Sequence, residues 1–391
     1  MKILVVSHTY IVDLNCEKLK TLAQLESDNE VIIVVPKKWK PGGVQNNLIE
    51  TKLRIEGNFK VIPVSNFSQN NQGLLTFGTD IIKLLRDFRP EIIQVEQGVK
   101  SFAYAQLITL NRGLNLGAKN LFFTWWNIPY QSNFPVSYLE KYNLNNTDGL
   151  IAGNQDAADI LRDHGYTKAV EVMPQLGVDE VLFSPQKQLD LALKIGIKDE
   201  DFVIGFVGRF VQEKGILTLL KAVKSLPKKP WKLLLLGRGE LKEQIIQEAK
   251  TIGIEDKLLM VESVAHEEVP QYINLMNVLV LPSETTYKFK TLTAVGWKEQ
   301  FGHVLIEAMA CKVPVIGSNS GEIPNVIGDA GLIFPEGEHL ALQKCLIQLI
   351  LNPQLKNELA EKGYKRLLNN YTNKALAEKL LSFYKILLKK D

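Results

Sequence analysis

The chain has 391 residues, 46% hydrophobic and 23% charged, with a formal net charge of +3. That length exceeds one ordinary core and points to two domains of similar size, while the small net charge argues against nucleic acid as a partner. No apolar run approaches the ~18 residues of a membrane helix, which leaves no place for a spanning segment.

The first half reads as short apolar runs alternating with helical patterns. Its strand candidates are Ile3–Val6, Val31–Val35, Val61–Val64, Ile92–Val95, Leu121–Thr124, Leu150–Ala152 and Val170–Met173. The second half repeats the rhythm at Phe202–Val207, Leu233–Leu236, Leu258–Val261, Val278–Leu281, Val313–Ile316 and Leu332–Phe334. Continuous rather than alternating apolar runs, spaced by helices, imply parallel strands buried on both faces. Two such series predict two doubly wound domains, 1–185 and 200–370. The pattern breaks between Phe183 and Asp201, around Ser184-Pro185-Gln186-Lys187. Three helical patterns close the chain, near 339–350, 353–369 and 373–388. Ligands of wound sheets sit beyond the carboxyl ends of the strands, so two such domains are expected to face each other across a cleft.

The first strand runs into Ser7-His8-Thr9-Tyr10, which places His8 at a carboxyl end. After Leu121–Thr124 come Trp125, Trp126 and Asn127, set to stack on or hydrogen-bond a sugar, whereas Phe122 and Phe123 read as core. Three cysteines, Cys16, Cys311 and Cys345, form no C-x-x-C and fit a reducing compartment. The four apolar residues Ile3–Val6 make a strand rather than a signal-peptide core, so a cytoplasmic location is expected. The basic clusters Lys37-Lys38-Trp39-Lys40, Lys228-Lys229 and Lys389-Lys390 have two readings: a solvated surface, or loose attraction to anionic headgroups at the inner face of a membrane.

Asp199-Glu200-Asp201 could hold Mg²⁺ against phosphates, but it precedes a strand and so sits at the wrong end of the sheet. The segment Gly205-Phe206-Val207-Gly208-Arg209 leads through Lys214-Gly215 into a helix at Ile216–Val223. Arg209 and Lys214 emerge from one strand-to-helix turn. They are either two surface cations or a seat for a diphosphate. Gly237-Arg238-Gly239 follows the next strand, but Lys242 stands where a dinucleotide fingerprint needs its third glycine, which disfavours a nicotinamide dehydrogenase. No two of the five histidines have metal-ligand spacing.

The densest segment is Glu299-Gln300-Phe301-Gly302-His303-Val304-Leu305-Ile306-Glu307-Ala308-Met309-Ala310-Cys311, followed by Gly321-Glu322-Ile323-Pro324. Gly302 opens a helix whose first N–H groups, with those of His303 and Val304, form an anion seat. Glu299 lies just before that seat, and Glu307 lies roughly 7–8 Å along the helix from Gly302. A ligand with hydroxyl-rich groups on either side of a phosphate matches this spread.

Together these motifs resemble the retaining GT-B glycosyltransferases of family 4. The resemblance rests on Gly208-Arg209, Lys214-Gly215, Gly237 and Gly239, Glu299 and Glu307 around Phe301-Gly302, Gly321-Glu322-Ile323-Pro324, and Gly177-Val178-Asp179 with Phe183. It implies two Rossmann-like domains, the first binding the acceptor and the second a nucleotide sugar, with a last helix (~372–391) crossing back onto the first. It implies that Arg209 and Lys214 hold a diphosphate, with Gly302, His303 and Val304 adding N–H groups. It further implies that Glu299 bonds the donor sugar and Glu307 the ribose, with no metal or other cofactor. The activity implied is retaining transfer from a UDP-, GDP- or ADP-sugar to a saccharide or glycolipid acceptor. His8, Tyr10, Trp125, Trp126 and Asn127 become the candidate acceptor or sugar contacts. A GT-B sugar-nucleotide epimerase and a non-catalytic partner subunit are the rival readings. Three departures stand out. Lys312 occupies a usual glycine position, the Gly-Gly loop after the first strand is missing, and Trp125-Trp126 replace a usual histidine. The long segment Thr285–Trp297 is either a flap over the sugar or a surface loop.

Overall fold

The computed structural model describes residues 1–40 and 47–389; Lys390 of the last basic cluster lies outside the described residues. The chain divides into two compact units. Unit 1 holds Met1–Gly177, Leu292–Ala294 and the residues from Asn373 onward, and unit 2 holds Val178–Thr291 and Val295–Thr372.

Unit 1 contains β1 (Lys2–Val6), β2 (Glu30–Pro36), β3 (Lys38–Trp39), β4 (Ile49–Glu50), β5 (Arg54–Glu56), β6 (Phe59–Val64), β7 (Asn66–Phe67), β8 (Thr76–Phe77), β9 (Ile92–Val95), β10 (Lys119–Thr124), β11 (Gly149–Ala152) and β12 (Ala169–Val172). Eight of these form one sheet in the order β12-β11-β10-β9-β1-β2-β6-β5. Successive residues of β1 and β2 feed opposite cores. Ile3, Val5, Val31 and Ile33 join one cluster, and Leu4, Val6, Ile32 and Val34 the other. A strand buried on both faces needs apolar residues at every position, which is why these runs do not alternate. The covering helices are α1 (Glu17–Leu25), α2 (Asp80–Phe88), α3 (Phe102–Gly113), α4 (Val136–Asn145) and α5 (Gln155–Asp163). Two start on side-chain caps: Ser101 Oγ accepts from Tyr104 N at 3.3 Å, and Asn154 Oδ1 from Ala157 N at 2.8 Å.

Unit 2 begins with α6 (Leu189–Ile195) and then runs β13 (Phe202–Val207), α7 (Ile216–Val223), β14 (Trp231–Leu236), α8 (Lys242–Thr251), β15 (Leu258–Val261), α9 (Val269–Ile273) and β16 (Val278–Leu281). A hairpin of β17 (Thr286–Lys290) and β18 (Val295–Trp297) follows, then α10 (His303–Ala310), β19 (Val315–Ser318), α11 (Ile323–Ile327), β20 (Gly331–Phe334), α12 (His339–Leu351) and α13 (Pro353–Asn370). Its six-stranded parallel sheet has the order β15-β14-β13-β16-β19-β20. The winding reverses between β13 and β16, and that switch point is where such sheets bind ligands. The last helix, α14 (Asn373–Leu388), packs in unit 1, burying Leu376, Leu380, Phe383, Tyr384 and Leu387 in the core that holds Ile3 and Val5.

Several expectations need correction. The unit 1 sheet is not wholly parallel, since edge strand β5 runs antiparallel to β6. The pairs β3–β4 and β7–β8 were not expected, being too short to carry a periodic signal. Val313 does not start a strand. Its N–H bonds Ala308 O at 2.9 Å, closing α10, and Pro314 has no N–H, so β19 begins at Val315. Around the expected join, Ser184 O accepts from Asn274 Nδ2, and Gln186 N donates to Asn274 Oδ1, both at 2.9 Å within unit 2. Within the segment Thr285–Trp297, β17 and β18 pair as an antiparallel hairpin. Among the described residues, no helix is long and apolar enough to cross a membrane.

Candidate functional site

The site in unit 2 is assembled at the carboxyl ends of its strands. After β13, Gly208 N bonds Leu236 O at 3.0 Å and Phe210 N bonds Arg238 O at 2.8 Å. The turn bearing Arg209 is thereby laced to the Gly237–Gly239 turn after β14, and Gly237 N in turn bonds Val261 O at 2.9 Å. A short 3₁₀ turn, Gln212–Lys214, leads into α7. The side chain of Arg209 is largely exposed, 3.5 Å from the buried Glu213 carboxylate.

Lys214 Nζ reaches across the switch point to Glu299 Oε2 at 2.5 Å. The same oxygen accepts from Ser283 Oγ, just after β16, at 2.7 Å. Glu299 is only 6% exposed, and both donors favour its charged form in that buried setting. The Trp297 ring lies 5.1 Å from Lys214 Nζ and adds a cation–π contact. Behind Glu299, its backbone O accepts from Glu322 N at 3.1 Å. Gly321 has φ +54, and a Cβ there would stand 1.9 Å from Glu299 O. The glycine of Gly321-Glu322-Ile323-Pro324 is what lets that turn press against the Glu299 backbone.

Gly302 precedes α10 with φ +84, and its O accepts from Leu305 N at 2.9 Å. A Cβ on Gly302 would meet Leu281 Cδ2 at 2.7 Å, so the start of α10 sits directly against the end of β16. Buried Leu305, Ile306, Ala308, Met309 and Ala310 pin the helix down, while His303 and Val304 in its first turn stay partly exposed. The Phe301 ring packs 4.9 Å from His303 and 5.6 Å from Tyr371. Glu307 keeps some exposed surface but is enclosed by protein, and that burial pushes its carboxyl up to about 7. Arg209, Lys214, Glu299, Glu307, Phe301, Gly302, His303, Val304, Gly208, Gly237 and Gly239 thus all lie in unit 2, on the turns after β13 and β14, between β18 and α10, and on α10. The arrangement offers two cations and a helix N-terminus to an anion, with carboxylates on either side for hydroxyl groups.

The unit 1 candidates behave differently. Tyr10 is fully buried in the core with Ile3 and Leu19, and Asn127 is only 2% exposed, so neither side chain is available to a sugar; this corrects the expectation for both. Trp125 and Trp126 are half-buried. Trp125 Nε1 donates to Gln175 Oε1 at 3.1 Å and Trp126 Nε1 to Ile128 O at 2.7 Å. His8 lies 5.0 Å from the Trp39 ring, its Nδ1 has no hydrogen-bond partner among the described residues, and burial lowers its pKa to about 4.

Sequence reasoning missed Glu213, from the same turn as Lys214, and Ser283, from the turn after β16. It also missed a polar network inside unit 1. Gln175 Nε2 donates to Glu96 Oε2, and Gln94 Nε2 to Glu96 Oε1, both at 2.7 Å; Tyr384 OH donates to Gln94 Oε1 at 2.7 Å. The available signal was Gln94 and Glu96 interrupting or ending an otherwise apolar strand. Among the described residues no group of three or more His, Cys, Asp or Glu could hold a metal. Asp201 Oδ2 accepts from Lys198 N at 2.9 Å in a turn before β13.

Two doubly wound α/β units in one chain are the architecture of the GT-B fold. The chain shares its fold with sucrose-phosphate synthase from Thermosynechococcus elongatus (18% identity, TM-score 0.70, covering 100% of this chain and 99% of that one). It also shares it with the Anabaena protein Alr3699/HepE in complex with UDP (15% identity, TM-score 0.70, 99% and 100%). Residues 189–366 match the family Glycosyl transferases group 1, and this stretch contains every unit 2 residue of the site. Over 201 residues the chain is 32% identical to the capsular polysaccharide biosynthesis glycosyltransferase CapM of Staphylococcus aureus, covering 49% of this chain and 48% of CapM. The chain spans about half the length of the curated relatives it matches first.

Proposed function

We propose that this protein is a retaining glycosyltransferase that moves a sugar from a nucleoside diphosphate sugar to a saccharide or lipid-linked acceptor, in polysaccharide or glycoconjugate biosynthesis. The observation that carries the reading is the Lys214–Glu299 pair at the switch point, beside the N-terminus of α10. Lys214 and Arg209 take the diphosphate, with the first N–H groups of α10 completing the seat. Glu299, held by Lys214 and Ser283, accepts from hydroxyls of the donor sugar, and Glu307 from those of the ribose. The cations supply the charge that departure of the nucleoside diphosphate requires, so no metal is needed in this reading. Retention follows from the family resemblance. Transfer takes place on one face, with the leaving phosphate drawing the acceptor proton and the enzyme contributing positioning and charge stabilisation.

UDP is the first nucleotide to test, because Alr3699/HepE was solved with it and shares the fold. Thermal unfolding with UDP, GDP and ADP reads the preference directly, since a ligand at ~100 times its Kd adds ~2.7 kcal/mol. Turnover of the matching nucleotide sugar should collapse in Lys214→Ala and in Glu299→Ala. Unchanged turnover in either variant means that the site is wrongly assigned.

A further inference from the structure

Unit 1 carries a groove of about 680 Å³ that shares no residue with the site in unit 2 and none with the candidate acceptor contacts named above. It runs along α4, between the loop that follows β10 and the loop that precedes β12. Its volume lies within the ~300–1,000 Å³ of small-molecule sites.

The groove is built around one carboxylate. Glu140, on α4, is only 5% exposed. Its Oε1 accepts from Tyr130 OH at 2.5 Å and lies 2.9 Å from His164 Nδ1. Tyr130 is itself held on its other side, with Lys100 Nζ 3.6 Å from its ring centroid and the His164 ring 4.4 Å away. Two partners on Oε1 leave Oε2 with no hydrogen bond among the described residues. Ser132 Oγ, on the same wall, is buried and also has no partner. Burying a hydroxyl with its bonding capacity unused is costly unless something else fills it.

The chemistry of the lining selects the ligand. A fixed carboxylate oxygen accepts O–H donors and repels anions in the floor of a groove. Ser132, Asn133 and Asn145 can each donate and accept. Lys141 and Lys168 line the groove as well, and Lys168 already donates to Thr147 O at 2.7 Å. A neutral molecule with several adjacent hydroxyls satisfies this set, whereas a phosphate or a nucleotide does not. We propose that the groove is a second carbohydrate site, binding a neutral saccharide unit through Glu140 Oε2, Ser132 and Asn133. Tyr130 and His164 are positioning residues that hold Glu140 with one oxygen turned to the ligand. The proposal uses none of the donor-site residues and stands apart from the donor reading.

Calorimetry and saturation-transfer NMR on the full chain test it, with maltotetraose, cellotetraose and chitotetraose as neutral probes and a heparin tetrasaccharide and inorganic phosphate as anionic ones. At least one neutral tetrasaccharide should bind saturably, and Ser132→Ala should weaken it about tenfold, the worth of one lost hydrogen bond of ordinary to strong size. Glu140→Gln should weaken it at least as much, with the unfolding temperature measured alongside. Asn133→Ala changes an exposed residue, leaves the fold intact and should still lower affinity. Lack of saturable binding to all three neutral probes overturns the proposal, as does binding of the anionic probes alone, or equal affinity in Ser132→Ala and Asn133→Ala.

Discussion

Lys214 Nζ and Glu299 Oε2 stand 2.5 Å apart, although 85 positions separate the two residues in the chain. One belongs to the turn after β13 and the other to the segment before α10, and Ser283 ties the same carboxylate to the end of β16. Without ligand the two charges neutralise each other. An incoming diphosphate would share Lys214 with Glu299 while Ser283 keeps its bond to the carboxylate.

Removing either partner should therefore have unequal effects. Lys214→Ala removes the cation from a mostly buried carboxylate and should cost about 1–3 kcal/mol of stability. Glu299→Gln keeps a partner for Ser283 and should cost less. Paired denaturation curves, with nucleotide titrations on the same samples, check this ordering, and Lys214→Ala should lose more nucleotide affinity than Glu299→Gln.

Glu307 gives a pH signature. Its carboxyl is raised to about 7 by burial, so the folded chain holds that proton more tightly than the unfolded one. Its contribution to stability is fullest below about 4.5 and declines as pH rises through 7. Glu307→Gln should stabilise the protein relative to the parent, by a margin that widens from pH 5 to pH 8. If Glu307 accepts ribose hydroxyls as an anion, parental nucleotide affinity should rise over the same interval, and Glu307→Gln should flatten that rise. Calorimetric titrations at four pH values read both effects.

His8 predicts the opposite limb. Burial lowers its pKa to about 4, while an unfolded histidine titrates near 6.5. Its share of stability is present above 6.5 and is lost as pH falls toward 4, up to about 3 kcal/mol. His8→Phe should remove that part of the acid sensitivity. Matching acid limbs in the variant and the parent would show that the ring is solvated.

Gly302→Ala should damage the anion seat without removing any functional group. A side chain there meets Leu281 and must also adopt a left-handed backbone, worth roughly 1–2 kcal/mol. Nucleotide affinity should fall further than stability, because the first turn of α10 must tilt to make room.

How far this could be read in advance differs by element. Runs such as Ile3–Val6 and Phe202–Val207 are legible because a strand buried on both faces needs apolar residues throughout, and the tail helices are legible because three complete periodic patterns follow one another. The hairpin at 286–297 was not, since its lysines, tyrosine and exposed leucine carry no alternation. The motif residues of unit 2 could be named because glycines beside charged residues at strand ends have few structural reasons to be there. Tyr10 and Asn127 mark the limit of that reasoning. Each follows a strand, as a ligand contact should, but whether the next residues turn outward or fold back over the core depends on packing from elements far away in sequence. The same applies to Glu140 and His164, which are ordinary helix and loop residues until α4 and α5 are placed side by side.

The placement of α14 has a consequence for how the chain is made. Unit 1 is missing one wall of its core until Leu376, Leu380 and Phe383 have left the ribosome, although most of its residues were synthesised first. All of unit 2 is translated in between, as one uninterrupted stretch from Val178 except for the three residues Leu292–Ala294. The later half of the polypeptide can therefore reach its native state while the earlier half is still waiting, with apolar strand faces such as those of Ile3 and Val5 in need of shelter during that interval.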